Sequence, residues 1–117
     1  GGERRSKADR RIAAYGDVDE LQAVLGVLLA NLPSEPALRG LCDELQQVQA
    51  DCFVLCCELA RTTTKPERHD PVLKQERVTW LERVIDQYDA LVPPLRSFIM
   101  QGGSQAGGQG GGKGGGA

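Results

Sequence analysis

Apolar residues recur along this chain at alternating steps of four and three. The first such series is Ala14, Val18, Leu21, Leu25, Leu28 and Leu32. Positions spaced this way fall along one side of a helix. The pattern predicts a first helix from about Asp9 to Asn31 or Leu32, stopped before Pro33, with residues 1–10 a polar, basic loop feeding it. Gly26 inside that helix costs about 1 kcal/mol relative to alanine. Its use is therefore expected to be the close approach of a neighbouring helix, and Tyr15-Gly16 is a second soft point.

A second series, Leu38, Leu41, Cys42, Leu45, Val48, Cys52, Leu55, Cys56 and Leu59, predicts a helix ending near Arg61. Ser34 is its candidate N-cap, with Glu35 and Pro36 in the first turn, where an acid and a proline suit the free N–H groups. The segment TTTKPERHDPVL (62–73) reads as a surface loop. A third helix is expected from about Gln75 to Leu91, with Val78, Leu81, Val84, Ile85, Tyr88 and Val92 on its apolar face and Pro93-Pro94 ending it. The short run LRSFIMQGGS follows, and no stretch alternates as a strand does. Three antiparallel helices with short connections imply an all-α, up-and-down bundle. Residues 1–104 form the bundle in this reading. Residues 105–117 are a glycine-rich tail, either a flexible linker or stand-ins for unidentified residues.

Composition narrows the function. With 117 residues the chain is one domain with a modest core. A net charge of -2 opposes a nucleic-acid or anionic-membrane surface, and five aromatic residues are too few for base-stacking platforms. No apolar run approaches the roughly 20 residues needed to cross a bilayer, and GGERRSKADRR has no apolar core to serve as a secretory signal. Cys42, Cys52, Cys56 and Cys57 share one predicted helix, a spacing unsuited to a disulfide framework. A reducing compartment, the cytoplasm, is expected.

The densest candidate chemistry is RIAAYGDVDEL (11–21), where Asp17, Asp19 and Glu20 lie within four positions beside the apolar stripe. Taken alone, three acids near a helix start can simply complement its dipole on a solvated face. Lys7 alone is an ordinary loop lysine, and Phe98 in its apolar run would pack in a core. Cys52 and Cys56 continue the Leu45/Leu59 stripe with no histidine near, and read as small buried hydrophobes rather than metal ligands. His69 is the single histidine and sits in the charged loop, so a di-iron centre built on Glu-x-x-His is excluded.

In register, Gly2, Arg4 or Arg5, Lys7 and Asp9, then Ala14-Tyr15-Gly16-Asp17-Val18-Asp19-Glu20-Leu21-Gln22 with Leu25-Gly26, and later Phe98-Ile99-Met100-Gln101-Gly102-Gly103, form a recognisable set. It resembles the ATP:cob(I)alamin adenosyltransferases of the trimeric, helical-bundle type found in propanediol-utilising bacteria and in mitochondria. That family reads approximately G-x-R-x-x-K-x-D, A-Y-G-x-V-D-E-L-N-x-x-L-G and F-I-L-P-G-G. The likeness spans roughly residues 2–104; its first block is specific and its second weaker but correctly placed.

The resemblance implies a bundle of four to five helices assembled as a homotrimer, with ATP, Mg²⁺ and cobalamin bound between subunits. It implies transfer of the 5′-deoxyadenosyl group of ATP to the cobalt of a reduced corrinoid, with release of triphosphate. Cobalt(I) is itself the nucleophile, so no catalytic nucleophile is expected from the protein and no protein-bound metal. By position, Lys7 corresponds to the lysine on the ATP phosphates, and Asp19 to the aspartate that pairs with an arginine of the adjacent subunit and orders the ATP site. Phe98 corresponds to the aromatic side chain at the lower corrin face, with Gly102 and Gly103 as the turn after it. A corrinoid reductase or a cobalamin-dependent client enzyme are the implied protein partners.

Four departures stand out. The family's T-G-D-x-G-x-T nucleotide loop would fall before residue 1. Its A-R-T-x-x-R-R-A-E-R helix would follow Gly103, where the glycine tail stands, and a final helix is missing. Gln101 stands where proline is usual. An incompletely observed member is expected; the alternative is a non-catalytic helical bundle that binds a corrinoid or a partner helix.

Overall fold

The computed structural model describes residues 2–61 and 67–94. Three helices make up the described fold: α1 (Gly2–Asn31), α2 (Arg39–Ala60) and α3 (Gln75–Leu91), with a single 3₁₀ turn, Pro36–Leu38, leading into α2. No strand occurs among the described residues, so the all-α reading holds. The chain divides into two units, Gly1–Val84 and Ile85–Ala117. Of the second unit, residues 85–94 are described: the last turns of α3 and the Val92-Pro93-Pro94 stop. The boundary expected at residue 104 lies outside the described residues, as does the LRSFIMQGGS run.

Within the first unit, polar contacts reveal how the helices run. Arg11 reaches Glu58 and Leu59, while Gln22 is reached by Gln49. Numbers rise along α1 as they fall along α2, so the two are antiparallel. Leu73 meets Glu58 and Arg77 meets Asp51 and Gln47, so the start of α3 runs antiparallel to α2 in turn. This is the up-and-down order expected from the short connections.

Two boundaries differ from the sequence reading. The first helix begins at Gly2, earlier than Asp9, so the basic segment is helical and not a loop. No proline interrupts residues 2–31, and its arginines, lysine and alanines are good helix formers. Ser34 does not cap the second helix. Glu35 is the N-cap residue of the 3₁₀ turn, extended at φ -108 and ψ 140, and no side chain caps it. A residue before proline is pushed to this extended region, and Pro36 brings a preset φ and no N–H to satisfy. The turn from Glu67 to Asp70 closes on itself: the Glu67 N–H donates to Asp70 Oδ2 at 2.8 Å and the Asp70 N–H to the Glu67 carbonyl at 3.0 Å.

Leu25, Cys52 and Cys56 are the buried apolar residues of the described chain. Burying a leucine side chain is worth about 2 kcal/mol, and Leu25 is 8 % exposed. The flanks of α1 stay open, with Val24 57 % and Val27 65 % exposed.

Candidate functional site

The α1–α2 contact leaves a groove of about 510 Å³ on one flank. α1 contributes Tyr15, Asp19, Gln22, Ala23 and Gly26, and α2 contributes Gln49, Phe53, Cys56, Cys57 and Ala60. Both sets step by three and four, so each helix presents one continuous strip to the groove. A smaller hollow of about 270 Å³ shares Tyr15 and Ala60 with it and extends along the pair to Arg11, Ile12 and Leu59. The concavity exists because Ala23, Gly26 and Ala60 project so little. Gly26 has the further use expected of it: a Cβ there would meet Gln49 Nε2 at 3.3 Å. The same Gln49 amide donates to the Gln22 carbonyl at 3.4 Å, an approach across the bare backbone at Gly26.

Asp19 lies on the groove, exposed, and makes no hydrogen bond or ion pair among the described residues. Its charge is felt next door. Burial pushes the Cys56 thiol above its ordinary pKa, and Asp19 and then Cys57 add to the rise. Burial does the same to Cys52, with Cys56 and Asp51 adding to it. Both thiols are therefore protonated at neutral pH and poor nucleophiles. Their burial agrees with the packing role read from the stripe. Among the described residues no group of three His, Cys, Asp or Glu side chains could hold a metal ion.

Lys7 is exposed on α1, three turns before Asp19. Twelve residues of helix separate the two by about 18 Å, so the structure does not bring them together within one chain. Phe98 lies outside the described residues. His69 is exposed, as its loop position suggested.

Two residues escaped the sequence reading. Phe53, 56 % exposed, is the aromatic residue that α2 brings to the groove, as Tyr15 is that of α1. Arg11 donates through Nε to the Leu59 carbonyl at 3.2 Å and through Nη2 to the Glu58 carbonyl at 2.9 Å. A signal for Arg11 was present: it continues the Ala14/Val18 spacing one step toward the N-terminus, a charged residue on the packed side of the helix.

The family model for cobalamin adenosyltransferase matches residues 1–109. A corrinoid adenosyltransferase of Bacillus subtilis is 39 % identical over 104 residues, which are 89 % of this chain and 52 % of that protein. The corrinoid adenosyltransferase PduO of Citrobacter freundii is 37 % identical over 105 residues, 90 % of this chain and 30 % of that protein. A corrinoid adenosyltransferase of Mycobacterium tuberculosis is 35 % identical over 102 residues, 86 % of this chain and 51 % of that protein. The chain thus spans about half the length, or less, of these curated relatives. No solved structure matches it.

Proposed function

Because the chain belongs to the cobalamin adenosyltransferase family, we propose that the protein transfers the 5′-deoxyadenosyl group of ATP to a reduced corrinoid. The cobalt(I) electron pair attacks C5′ of ATP and forms the cobalt–carbon bond. The C5′–O bond breaks, and its electron pair leaves with triphosphate. A reaction whose nucleophile arrives with the substrate asks the protein for alignment and for stabilisation of the leaving anion. The raised pKa of the Cys56 thiol in the groove suits that division of labour, since this thiol is not poised to compete with cobalt.

In this reading the Lys7 ammonium meets the triphosphate as a compact point charge. Asp19 pairs with an arginine of an adjacent subunit in a homotrimer, and its exposure without a partner among the described residues supports that role. Phe98 packs against the lower face of the corrin. Mg²⁺ enters as the counter-ion of ATP; among the described residues no group of three His, Cys, Asp or Glu side chains could hold it. A reductase supplies cobalt(I) and a cobalamin-dependent enzyme receives the product, in the cytoplasm. No helix of the described chain is long and apolar enough to cross a membrane. Residues 1–104 carry the bundle and 105–117 the tail.

The observation that carries this reading is the family match over 1–109. Its test is an anaerobic reaction of the purified protein with ATP and chemically reduced cobalamin. Adenosylcobalamin and one equivalent of triphosphate are expected. Corrinoid binding without product would favour a non-catalytic corrinoid-binding bundle, and neither binding nor product would overturn both. Asp19→Asn is expected to weaken the trimer in sedimentation and to raise the KM for ATP.

A further inference from the structure

α2 ends at Ala60; the N–H of its C-cap residue Arg61 donates to the Glu58 carbonyl at 3.3 Å, and the Leu59 carbonyl has no backbone donor among the described residues. Such an end carries about half a negative charge. Arg11 of α1 covers it, with hydrogen bonds of 3.2 and 2.9 Å to the carbonyls of Leu59 and Glu58. The carboxylate of Glu58 is engaged elsewhere, by the Leu73 N–H at 2.9 Å and by Arg61 at 3.6 Å. The guanidinium therefore serves the helix end itself and not an acidic side chain.

Since α1 and α2 are antiparallel and Arg11 sits at the end of α2, the α1 residues before Arg11 run on past that end, over about 14 Å. Lys7 stands on this overhang, one turn before Arg11 and on the same helix face. A lysine within a turn of uncovered C-terminal carbonyls binds them itself. An anion approaching Lys7 would also be repelled by the uncovered helix end.

We infer that Arg11 is a positioning residue for the leaving phosphates: by covering the end of α2 and fixing the overhang, it leaves Lys7 free to receive an oligophosphate. The inference rests on the assignment of Lys7 to the ATP phosphates. It predicts energetic coupling between two residues that need not touch.

The test measures binding of ATP and of inorganic tripolyphosphate to the full protein, together with the KM for each substrate and kcat. Arg11→Ala is expected to weaken both oligophosphates about tenfold and to raise the KM for ATP alike, with kcat and the corrinoid KM within twofold. Arg11→Lys, which can still cover one carbonyl, is expected to recover most of the loss. In a Lys7→Ala background, Arg11→Ala is expected to cost no further affinity. A lowered melting temperature with unchanged oligophosphate affinity, or additive losses in the double variant, would overturn the inference. Should Arg11→Ala fail to fold, the same comparison is made with Arg11→Lys alone and with Lys7→Ala. If the unaltered protein, or Lys7→Ala against it, shows no oligophosphate binding that depends on Lys7, the underlying assignment fails, and the inference with it.

Discussion

The contact between α1 and α2 is mainly apolar, with Leu25, Cys52 and Cys56 buried along it and half-buried Val18, Leu29, Leu45 and Val48 around them. The contact between α2 and the start of α3 is organised by one guanidinium. Arg77 holds Asp51 through two hydrogen bonds of 2.9 and 3.0 Å and Gln47 through a third of 3.2 Å, and it lies 4.3 Å from the centroid of the Trp80 ring. Apolar burial is non-directional and scales with area. A two-pronged arginine–carboxylate pair is directional and fixes orientation. The first contact should therefore govern whether the unit folds, and the second how α3 begins its run along α2.

The largest effect is expected from the apolar side. Leu25→Ala removes a side chain only 8 % exposed, and large-to-small changes at such sites cost about 2–4 kcal/mol. Chemical denaturation should show the loss across the whole cooperative transition. Arg77→Ala is expected to cost less, about 1–2 kcal/mol, because the pair with Asp51 is partly solvated. Its signature should be local: hydrogen exchange accelerates at the start of α3 while the α1–α2 contact stays protected. Arg77→Lys should not restore it, since an ammonium cannot reproduce the fork or the ring contact. Equal effects of both substitutions on both regions would break the comparison.

The same contrast explains what could be read in advance. Steps of three and four placed α3 from Gln75 to Leu91 and the end of α1 at Asn31, because apolar burial leaves a period in the chain. Gly26 could be marked as a close approach because a glycine inside a helix is costly and needs a reason. Arg11 and Arg77 stayed hidden. Each acts across 26 to 48 residues of chain; the place of Arg11 on the Ala14/Val18 side of α1 sets it apart from a solvated arginine but does not say which carbonyls it meets, and Arg77 has no such mark. The basic start of α1 was misread for a related reason: polarity says little about helicity when no breaker is present. Of the groove, Asp19 was singled out in advance through the motif around it, whereas Phe53 and the groove itself depend on how two strips meet.

A smaller effect tests the buried thiols of the α1–α2 contact through pH. Cys52 and Cys56 have pKa values raised above the ordinary 9.0 of a thiol. In alkali the unfolded chain loses these protons first, while the folded chain still holds them. The stability this supplies is complete below about pH 9 and is lost as pH rises through the raised values. Denaturation midpoints should fall from pH 9 upward, and Cys52→Ala/Cys56→Ala should flatten that slope even as it lowers the plateau. A slope unchanged by the double variant would assign the alkaline loss to other groups.

The smallest effects come from two glycines of α1 that separate backbone cost from packing. Gly16 has nothing within 4 Å of where a Cβ would stand, whereas at Gly26 the Gln49 amide is 3.3 Å away. Alanine removes the same helix cost at both, about 1 kcal/mol. Gly16→Ala should therefore stabilise the protein by about 0.5–1 kcal/mol, read as a higher denaturation midpoint. At Gly26 the gain must be set against displacing Gln49 by a few tenths of an ångström and loosening its long hydrogen bond to Gln22, so the net change should lie near zero. Gln49→Ala removes the obstacle, and in that background Gly26→Ala should recover the stabilisation seen at Gly16. If it does not, the tight approach at Gly26 involves more of α2 than one side-chain amide.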